Sequence, residues 1–519
     1  MLTQLADDLR KRGILPPRSE NSTVEDIYEE YVTLPLDHFG SDAGTFDNRF
    51  WVAESGYQGL GHPIFILDLG EQTGDPNAYG SGGAINRLQE TWFKDIVDSF
   101  GGMGIAWEHR YYGASSPVNI SVDTDPKDLK YLTVEQALAD VAVFASNFTR
   151  DNYEDVDLTP ASTPWIFIGG SYPGIRAALM RELYPEIIYA SYASSAPAEA
   201  KVDMSVYYEA VWEGMQAYGL GNCSQDIHAA VTYMDKLLDH PDTAAKLKQK
   251  FLGYKAEQNS NGDFARYLTS IYSDWQYYGA AGTIGYFCDY IETISSNSTN
   301  GTDLVASEDG WAPSRGAAFV VERWASYLEE SKCPSNSSAS NSTEAAACSD
   351  LSGAYEDPDS ISWTWQYCTQ FGFLQSANLG PHQIVSKYDS LEFERDLCVR
   401  QFPTAGDLLP EWPAAKELNK NLGGWDIRPS NTFWTGGEFD PWRKLGPLSD
   451  AAWAPQPVLT QEAPGCNVST TSDEIFGYVL PNAEHCFDLD STEEAFVAQK
   501  YFTDALTEWL KCFTPSGGY

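Results

Sequence analysis

Ser171 sits in the segment Trp165-Ile166-Phe167-Ile168-Gly169-Gly170-Ser171-Tyr172-Pro173-Gly174, where an apolar run enters two glycines and a serine and a helical pattern follows. A serine on a sharp strand-to-helix turn has its hydroxyl lifted above the sheet edge, and small neighbours are needed because the backbone crowds there. The helix N-terminus behind such a serine also favours a developing oxyanion. The chemistry these residues could do is nucleophilic acyl transfer, in which the hydroxyl needs a base and the base needs an orienting acid. Pro173 stands where the G-x-S-x-G pattern has its last glycine. Proline is tolerated in a first helical turn, where its missing N–H would have no partner. Taken alone, the segment fits a glycine-rich βα turn as well as a nucleophile elbow.

Four of the seven histidines follow Ser171: His228, His240, His382 and His485. His228 and His240 lie in helical sequence and read as surface or packing residues. His382 follows a Gly-Pro turn. His485 lies in Pro481-Asn482-Ala483-Glu484-His485-Cys486-Phe487-Asp488, just after the last apolar strand pattern, where a base of this chain order belongs. The acid belongs after the preceding strand, at Gly436-Gly437-Glu438-Phe439-Asp440-Pro441-Trp442. Glu438 or Asp440 could serve. Asp440 is preferred because Pro441 stiffens the turn and removes a competing amide donor. In this reading Ser171 is the nucleophile, His485 its base and Asp440 the group that holds the imidazolium. The structural alternatives are a turn-stabilising aspartate and a surface-loop histidine.

The elements that must position these residues alternate. Residues 63–69, 104–107, 165–168 and 188–193 are short, near-continuous apolar runs, as in buried parallel strands, with helical spacing at 132–148 and 175–183. From about 200 helical segments dominate, at 205–218, 230–238 and 316–330, broken by polar low-complexity loops near 295–302 and 334–347. Strand patterns return at 432–435 and 474–480, and an amphipathic helix spans 492–510. The expectation is an α/β fold: an α/β-hydrolase sheet domain at 30–199 and 428–512, interrupted by a helical cap insertion at 200–427.

At 519 residues the chain is long enough for two joined domains, and its 43% hydrophobic content is that of a globular protein. Its net charge of −41 disfavours nucleic acid and anionic membrane surfaces as partners, since both need clustered Lys and Arg. Carboxylate self-repulsion on that scale relaxes at acid pH, which fits an acidic working environment and equally fits plain solubility. Nine Asn-x-Ser/Thr sequons and nine cysteines indicate an oxidising, extracytosolic compartment: secreted, or an acidic lysosome- or vacuole-like one. The first 20 residues hold no apolar stretch, so an export signal is expected to have been removed or the start to differ. No apolar run has membrane-spanning length. No HExxH, EF-hand, P-loop or dinucleotide fingerprint occurs, so no metal or cofactor is implied.

With these residues in view the chain resembles the proline-specific serine peptidases, a family that includes lysosomal Pro-X carboxypeptidase, dipeptidyl peptidase II, thymus-specific serine protease and fungal prolyl endopeptidases. The resemblance spans roughly 30–512. It rests on Leu36-Asp37-His38-Phe39, Glu108-His109-Arg110-Tyr111-Tyr112-Gly113, 132–137 (LTVEQA), Gly169-Gly170-Ser171-Tyr172, Ser194-Ser195-Ala196-Pro197, Trp365-Gln366-Tyr367-Cys368-Thr369, Asp440-Pro441-Trp442 and His485-Cys486-Phe487-Asp488. It implies a serine peptidase with Ser171, Asp440 and His485 as triad, peptide substrates, a cap that restricts access, and cleavage after proline with Trp442 lining the pocket. An indole wall against a pyrrolidine ring is worth about 1–2 kcal/mol; core packing is the other role open to Trp442. The Tyr172 amide is the implied oxyanion donor, with a second at Gly70 or Glu71, in a loop that departs from the family's glycine–glutamate stretch. His109 and Arg110 are expected to knit the strand end.

By the same resemblance Cys368 and Cys398 are expected to pair. Cys333 with Cys348, Cys466 with Cys486 and Cys223 with Cys288 are further expected bridges, leaving Cys512 odd. A homodimer is left open. The alternatives from other classes are a secreted esterase or lipase of the same fold, and an inactive hydrolase-like binding glycoprotein.

Overall fold

Parallel strands buried on both faces need continuous apolar runs, and that is how the centre of the sheet is built. In the computed structural model, which describes residues 27–40, 43–76, 83–295, 302–329 and 350–515, nine strands form one sheet. They are β1 (Tyr28–Pro35), β2 (Thr45–Ala53), β3 (Ile64–Asp68), β4 (Met103–Trp107), β5 (Trp165–Gly170), β6 (Ala190–Ser194), β7 (Thr432–Gly437), β8 (Val458–Thr460) and β9 (Glu474–Leu480). The order across the sheet is β1-β2-β4-β3-β5-β6-β7-β9-β8. The β1–β2 and β2–β4 pairs are antiparallel, and every later pair is parallel. A mostly parallel sheet with helical crossovers and an antiparallel edge is an α/β-hydrolase sheet, as expected.

Registry brings the functional strand ends together. Gly170 pairs with Ser194, Ser194 with Thr435, and Gly437 with Leu480, so β5, β6, β7 and β9 finish side by side. Three helices of this unit matter for the site: α1 (Val134–Ser146), α2 (Tyr172–Leu183) and α3 (Glu493–Leu510). The Thr133 hydroxyl caps α1 by accepting from the Gln136 amide at 3.3 Å, and Thr492 caps α3 by accepting from Ala495 at 3.1 Å. Trp92, Tyr192, Phe433, Phe476, Phe502 and Trp509 pack together in one core.

The described residues fall into two compact units, one made of those within 1–201, 355–372 and 401–519, the other of those within 202–354 and 373–400. The expected insertion at 200–427 is therefore too wide at its end: 355–372 and 401–427 group with the sheet. Their polar anchors explain why. Tyr112 donates to Gln366 at 2.6 Å, Ser362 to the Tyr111 carbonyl at 2.9 Å, and Asn419 to Glu199 at 2.7 Å. The second unit is helical, including Val206–Ala217, Gly221–Leu238, Pro241–Leu252, Thr283–Glu292 and Ala317–Tyr327.

Cys223 and Cys288 are bridged, tying the second and fourth of those helices. Cys368 and Cys398 are both disulfide-bonded. Two expectations are overturned. Cys466 pairs with Cys512 rather than Cys486, and among the described residues Cys486 is the free thiol. Cys466 lies at the end of α3, with Sγ 3.9 Å from the Trp509 carbonyl, whereas Cys486 faces Gly170. Cys333 and Cys348 lie outside the described residues. Among the described residues no helix is long and apolar enough to cross a membrane.

Candidate active site

Ser171 stands between β5 and α2 with φ 66° and ψ −130°, a left-handed conformation that a non-glycine residue adopts only when its surroundings enforce it. The enforcement is visible in the neighbouring glycines. A side chain on Gly169 would strike the Pro173 carbonyl, and one on Gly174 the Ser194 carbonyl. Pro173 itself lies against Gly70, where a Cβ would come within 2.5 Å of the proline ring. The loop after β3 thus yields the room that the missing elbow glycine would have provided.

His485 follows β9 and is 6% exposed; Asp440 follows β7 and is fully buried. His485 Nδ1 and Asp440 Oδ1 are 2.9 Å apart, and the same oxygen accepts from the Trp442 amide at 2.9 Å. Asp440 is thereby the N-cap of a short 3₁₀ turn, Pro441–Leu445. Glu438, the alternative acid, accepts instead from the Asn482 amide at 2.9 Å. His485 Nε2 is buried without a hydrogen-bond partner among the described residues. Burial works against a charge on the ring, but Asp440 and the Cys486 sulfur outweigh it and hold the pKa well above the ordinary histidine value. The serine and histidine segments meet: a Cβ on Gly170 would lie 2.9 Å from Cys486 Sγ.

The histidine loop is pinned from below by the Ser194-Ser195 pair. Ser195, at φ 46°, accepts from the Cys486 amide at 2.8 Å, and Ser194 donates to Asp488 at 2.7 Å. Burial raises the Asp488 carboxyl to about 6. These anchors were present in the sequence only as motif letters, since neither serine stands in an elbow pattern.

Tyr172 begins α2, so no intrahelical carbonyl can accept its amide. Its ring is held by the Glu108–Gly113 segment: Tyr172 Oη and His109 Nε2 are 2.9 Å apart, and Gln366 donates to the same hydroxyl at 3.0 Å. His109 Nδ1 lies 2.7 Å from the Arg110 carbonyl, and burial with nearby Arg176 keeps its pKa well below the ordinary value, so the ring is neutral. Arg110 binds Asp140 through two bonds at 2.6 and 2.7 Å. Both residues knit structure, as expected.

The Gly70 amide donates to Asp68 at 3.0 Å, and Asp68 also pairs with Arg176. The Glu71 amide likewise engages its own carboxylate, so the two expected second donors stand on the same footing. Glu71 is half-buried; burial raises its carboxyl to about 7 against the opposing pull of its own amide, His485 and Arg176. Trp442 is 9% exposed, its ring centroid 6.4 Å from that of His485.

The chain matches the family described as serine carboxypeptidase S28 over residues 34–498. A probable extracellular serine carboxypeptidase of Arthroderma benhamiae is 27% identical over 484 residues, covering 87% of this chain and 64% of that protein. The thymus-specific serine protease of Mus musculus is 27% identical over 498 residues, covering 93% of this chain and 87% of that protein. Among solved structures, the proline iminopeptidase of Mycobacterium smegmatis is 12% identical, with 92% of this chain and 99% of that one covered at a TM-score of 0.31. With a match across nearly all of its length, the chain belongs to the serine carboxypeptidase S28 family and is a serine-type peptidase.

Proposed function

We propose that the protein hydrolyses peptide bonds on the C-terminal side of proline through a Ser171–His485–Asp440 triad, in a secreted or acidic lysosome- or vacuole-like setting. The observation that carries the reading is the His485–Asp440 contact of 2.9 Å, with the adjoining Cys486 packed against Gly170 of the elbow. In this mechanism the Ser171 proton passes to His485 Nε2 as Oγ attacks the scissile carbonyl carbon. The oxyanion is met by the Tyr172 amide and a second donor at Gly70 or Glu71. Collapse breaks the C–N bond, His485 gives its proton to the leaving amine, and water then releases the acyl group by the same route. Trp442, two residues after the triad acid, supports the proline preference by offering a flat apolar wall.

A fluorophosphonate probe tests the nucleophile: it is expected to label Ser171 and to leave Ser171→Ala unlabelled. Mass spectrometry of products from one peptide with internal and penultimate prolines tests the specificity. Labelling elsewhere, or cleavage indifferent to proline, refutes the respective half of the reading.

A further inference from the structure

The Tyr172 side chain takes no part in the mechanism above, yet two segments far from it in the chain are built around its ring. Four buried polar side chains form a directed series. Tyr112 donates to Gln366 Oε1 at 2.6 Å, Gln366 Nε2 donates to Tyr172 Oη at 3.0 Å, and the Tyr172 hydroxyl donates to His109 Nε2 at 2.9 Å. Chemistry fixes the last direction. His109 Nδ1 lies 2.7 Å from the Arg110 carbonyl, which can only accept, so in a neutral ring Nε2 carries no proton. Burial, with Arg176 nearby, keeps that ring neutral. All four residues are 2% exposed or less. An apolar set of the same size would fill this space at less cost in desolvation, whereas a fully satisfied polar network fixes orientation.

Both supporting segments depart from regular backbone to reach Tyr172. Tyr111, between His109 and Tyr112, has φ 69°, a region that an aromatic residue enters only under constraint. The helix Pro358–Gln366 runs into a π turn, Tyr367–Phe371. In an α-helix Phe371 would lie about 140° round the axis from Gln366, and the wider turn brings it back toward that face. Trp363 and Phe371 both pack on Tyr172, with ring centroids 5.6 and 5.4 Å from its own. The Ser171–Tyr172 peptide needs such a hold. Its carbonyl is fixed by the Gly174 and Ile175 amides at 2.9 and 3.2 Å, but its N–H has no carbonyl of the helix to bind. The tilt of that N–H depends on the residue that carries it, and Tyr172 is anchored at the far end of its ring.

Resting on the triad assignment and on the Tyr172 amide as oxyanion donor, we propose that His109 and Gln366 are positioning residues for the reaction: through the Tyr172 ring they aim the Tyr172 N–H at the oxyanion. Neither touches substrate. Loss of the hold leaves the donor present but tilted. It therefore costs less than deleting an oxyanion donor, which lowers kcat by about 10²–10³-fold, and a fall of about tenfold is expected. Binding of the substrate in its ground state is left as it was, because the N–H meets its partner only when the oxyanion forms.

The test compares the full chain with Tyr172→Phe, Gln366→Met and the double variant, each checked for folding by circular dichroism and urea unfolding. For each, kcat and KM are measured on a proline-containing peptide. Affinity is measured for a peptide aldehyde ending in prolinal, whose adduct on Ser171 carries the oxyanion, and for the matching alcohol, which forms no adduct. In each single variant kcat and aldehyde affinity are expected to fall together by about tenfold, with KM and alcohol affinity within about twofold of wild type. The double variant is expected to be no worse than the poorer single one, since both break the same series. In folded variants, an unchanged kcat, a loss carried by KM, a fall in kcat without one in aldehyde affinity, or losses that multiply in the double variant overturn the proposal. Where one single variant does not fold, the other decides by the same split. A wild-type chain whose Ser171 takes no fluorophosphonate refutes the triad instead, so the two failures are told apart.

Discussion

Replacing Glu292 by glutamine should remove a large part of the pH dependence of stability in the helical unit. Glu292 ends the helix Thr283–Glu292, is 6% exposed, and faces Asp226 on the helix Gly221–Leu238. Asp226 accepts from the Trp311 and Ala312 amides at 2.7 and 2.8 Å, which favours its charged form, so Glu292 is the partner that keeps the proton. Burial first, and Asp226 second, raise the Glu292 carboxyl to about 8 from 4.5. Because the folded pKa is the higher one, the stabilisation is complete below about pH 4.5 and is lost as pH rises through about 8. At about 1.4 kcal/mol per pH unit the loss reaches roughly 3–5 kcal/mol. Glu292→Gln keeps the acceptor for Asn222 and cannot ionise. Urea unfolding, read through a probe in this unit at pH 4.5, 6 and 8, should show wild type weakening by that amount while the variant changes far less. Parallel pH profiles for the two proteins would refute the shared-proton account.

Asp440→Asn should leave the fold intact and cut kcat by about 10⁴-fold, as expected when the orienting carboxylate is lost; unchanged turnover would exclude Asp440 from the triad. Since Asp440 and Cys486 hold the His485 pKa above the ordinary value, and the ring must be neutral to act as base, kcat/KM should fall on an acid limb placed above about pH 6.5. A limb below that value contradicts the cited direction. Asp68→Asn strands the buried Arg176 guanidinium and should destabilise the sheet unit by about 3–5 kcal/mol in urea unfolding. Trp442→Ala should cost proline-containing peptides about 1–2 kcal/mol, close to tenfold in kcat/KM, and alanine-containing analogues less.

The sheet's centre was legible because burial on both faces writes itself as the apolar runs of β3, β4 and β5. The edge was not. β1 carries Glu29 and Glu30 and is largely exposed over its first half on both faces, and β2 contains Asn48 and Arg49, which are buried. Arg49 binds Glu108 and Asp75, and Asn48 donates to the Glu108 carbonyl. Such polar cores have no periodicity to read. The triad candidates could be found because each sits just past a strand, a position that chain order reveals. Ser195, Asp68 and Gln366 could not, because their roles arise from partners between 108 and 291 residues away or from an Asp–Arg pair that only the fold assembles. The Cys466 pairing failed for the same reason: Cys486 was a plausible partner by loop position, while the true partner lay at the far end of α3.

Two features of the chain pull its pH behaviour in opposite directions. Glu292 and Asp488, raised to about 8 and about 6, are buried carboxyls that are accommodated best when protonated, and the −41 charge also relaxes in acid. The raised His485 pKa favours turnover at higher pH. Glu71 stands between the two trends, since its carboxyl, at about 7, interacts directly with His485. As pH falls through that value Glu71 takes a proton and one anion disappears from the neighbourhood of the imidazole, so His485 binds its own proton less tightly than it would beside a charged Glu71. The two groups therefore titrate as a pair. Protonating Glu71 works to extend the neutral, basic form of His485 toward the acid range in which the buried carboxyls are most comfortable. Glu71→Gln fixes that neutral condition, and should lower the apparent pKa of the acid limb measured in kcat/KM, whereas a Glu71 confined to oxyanion binding through its amide would leave the limb where it is.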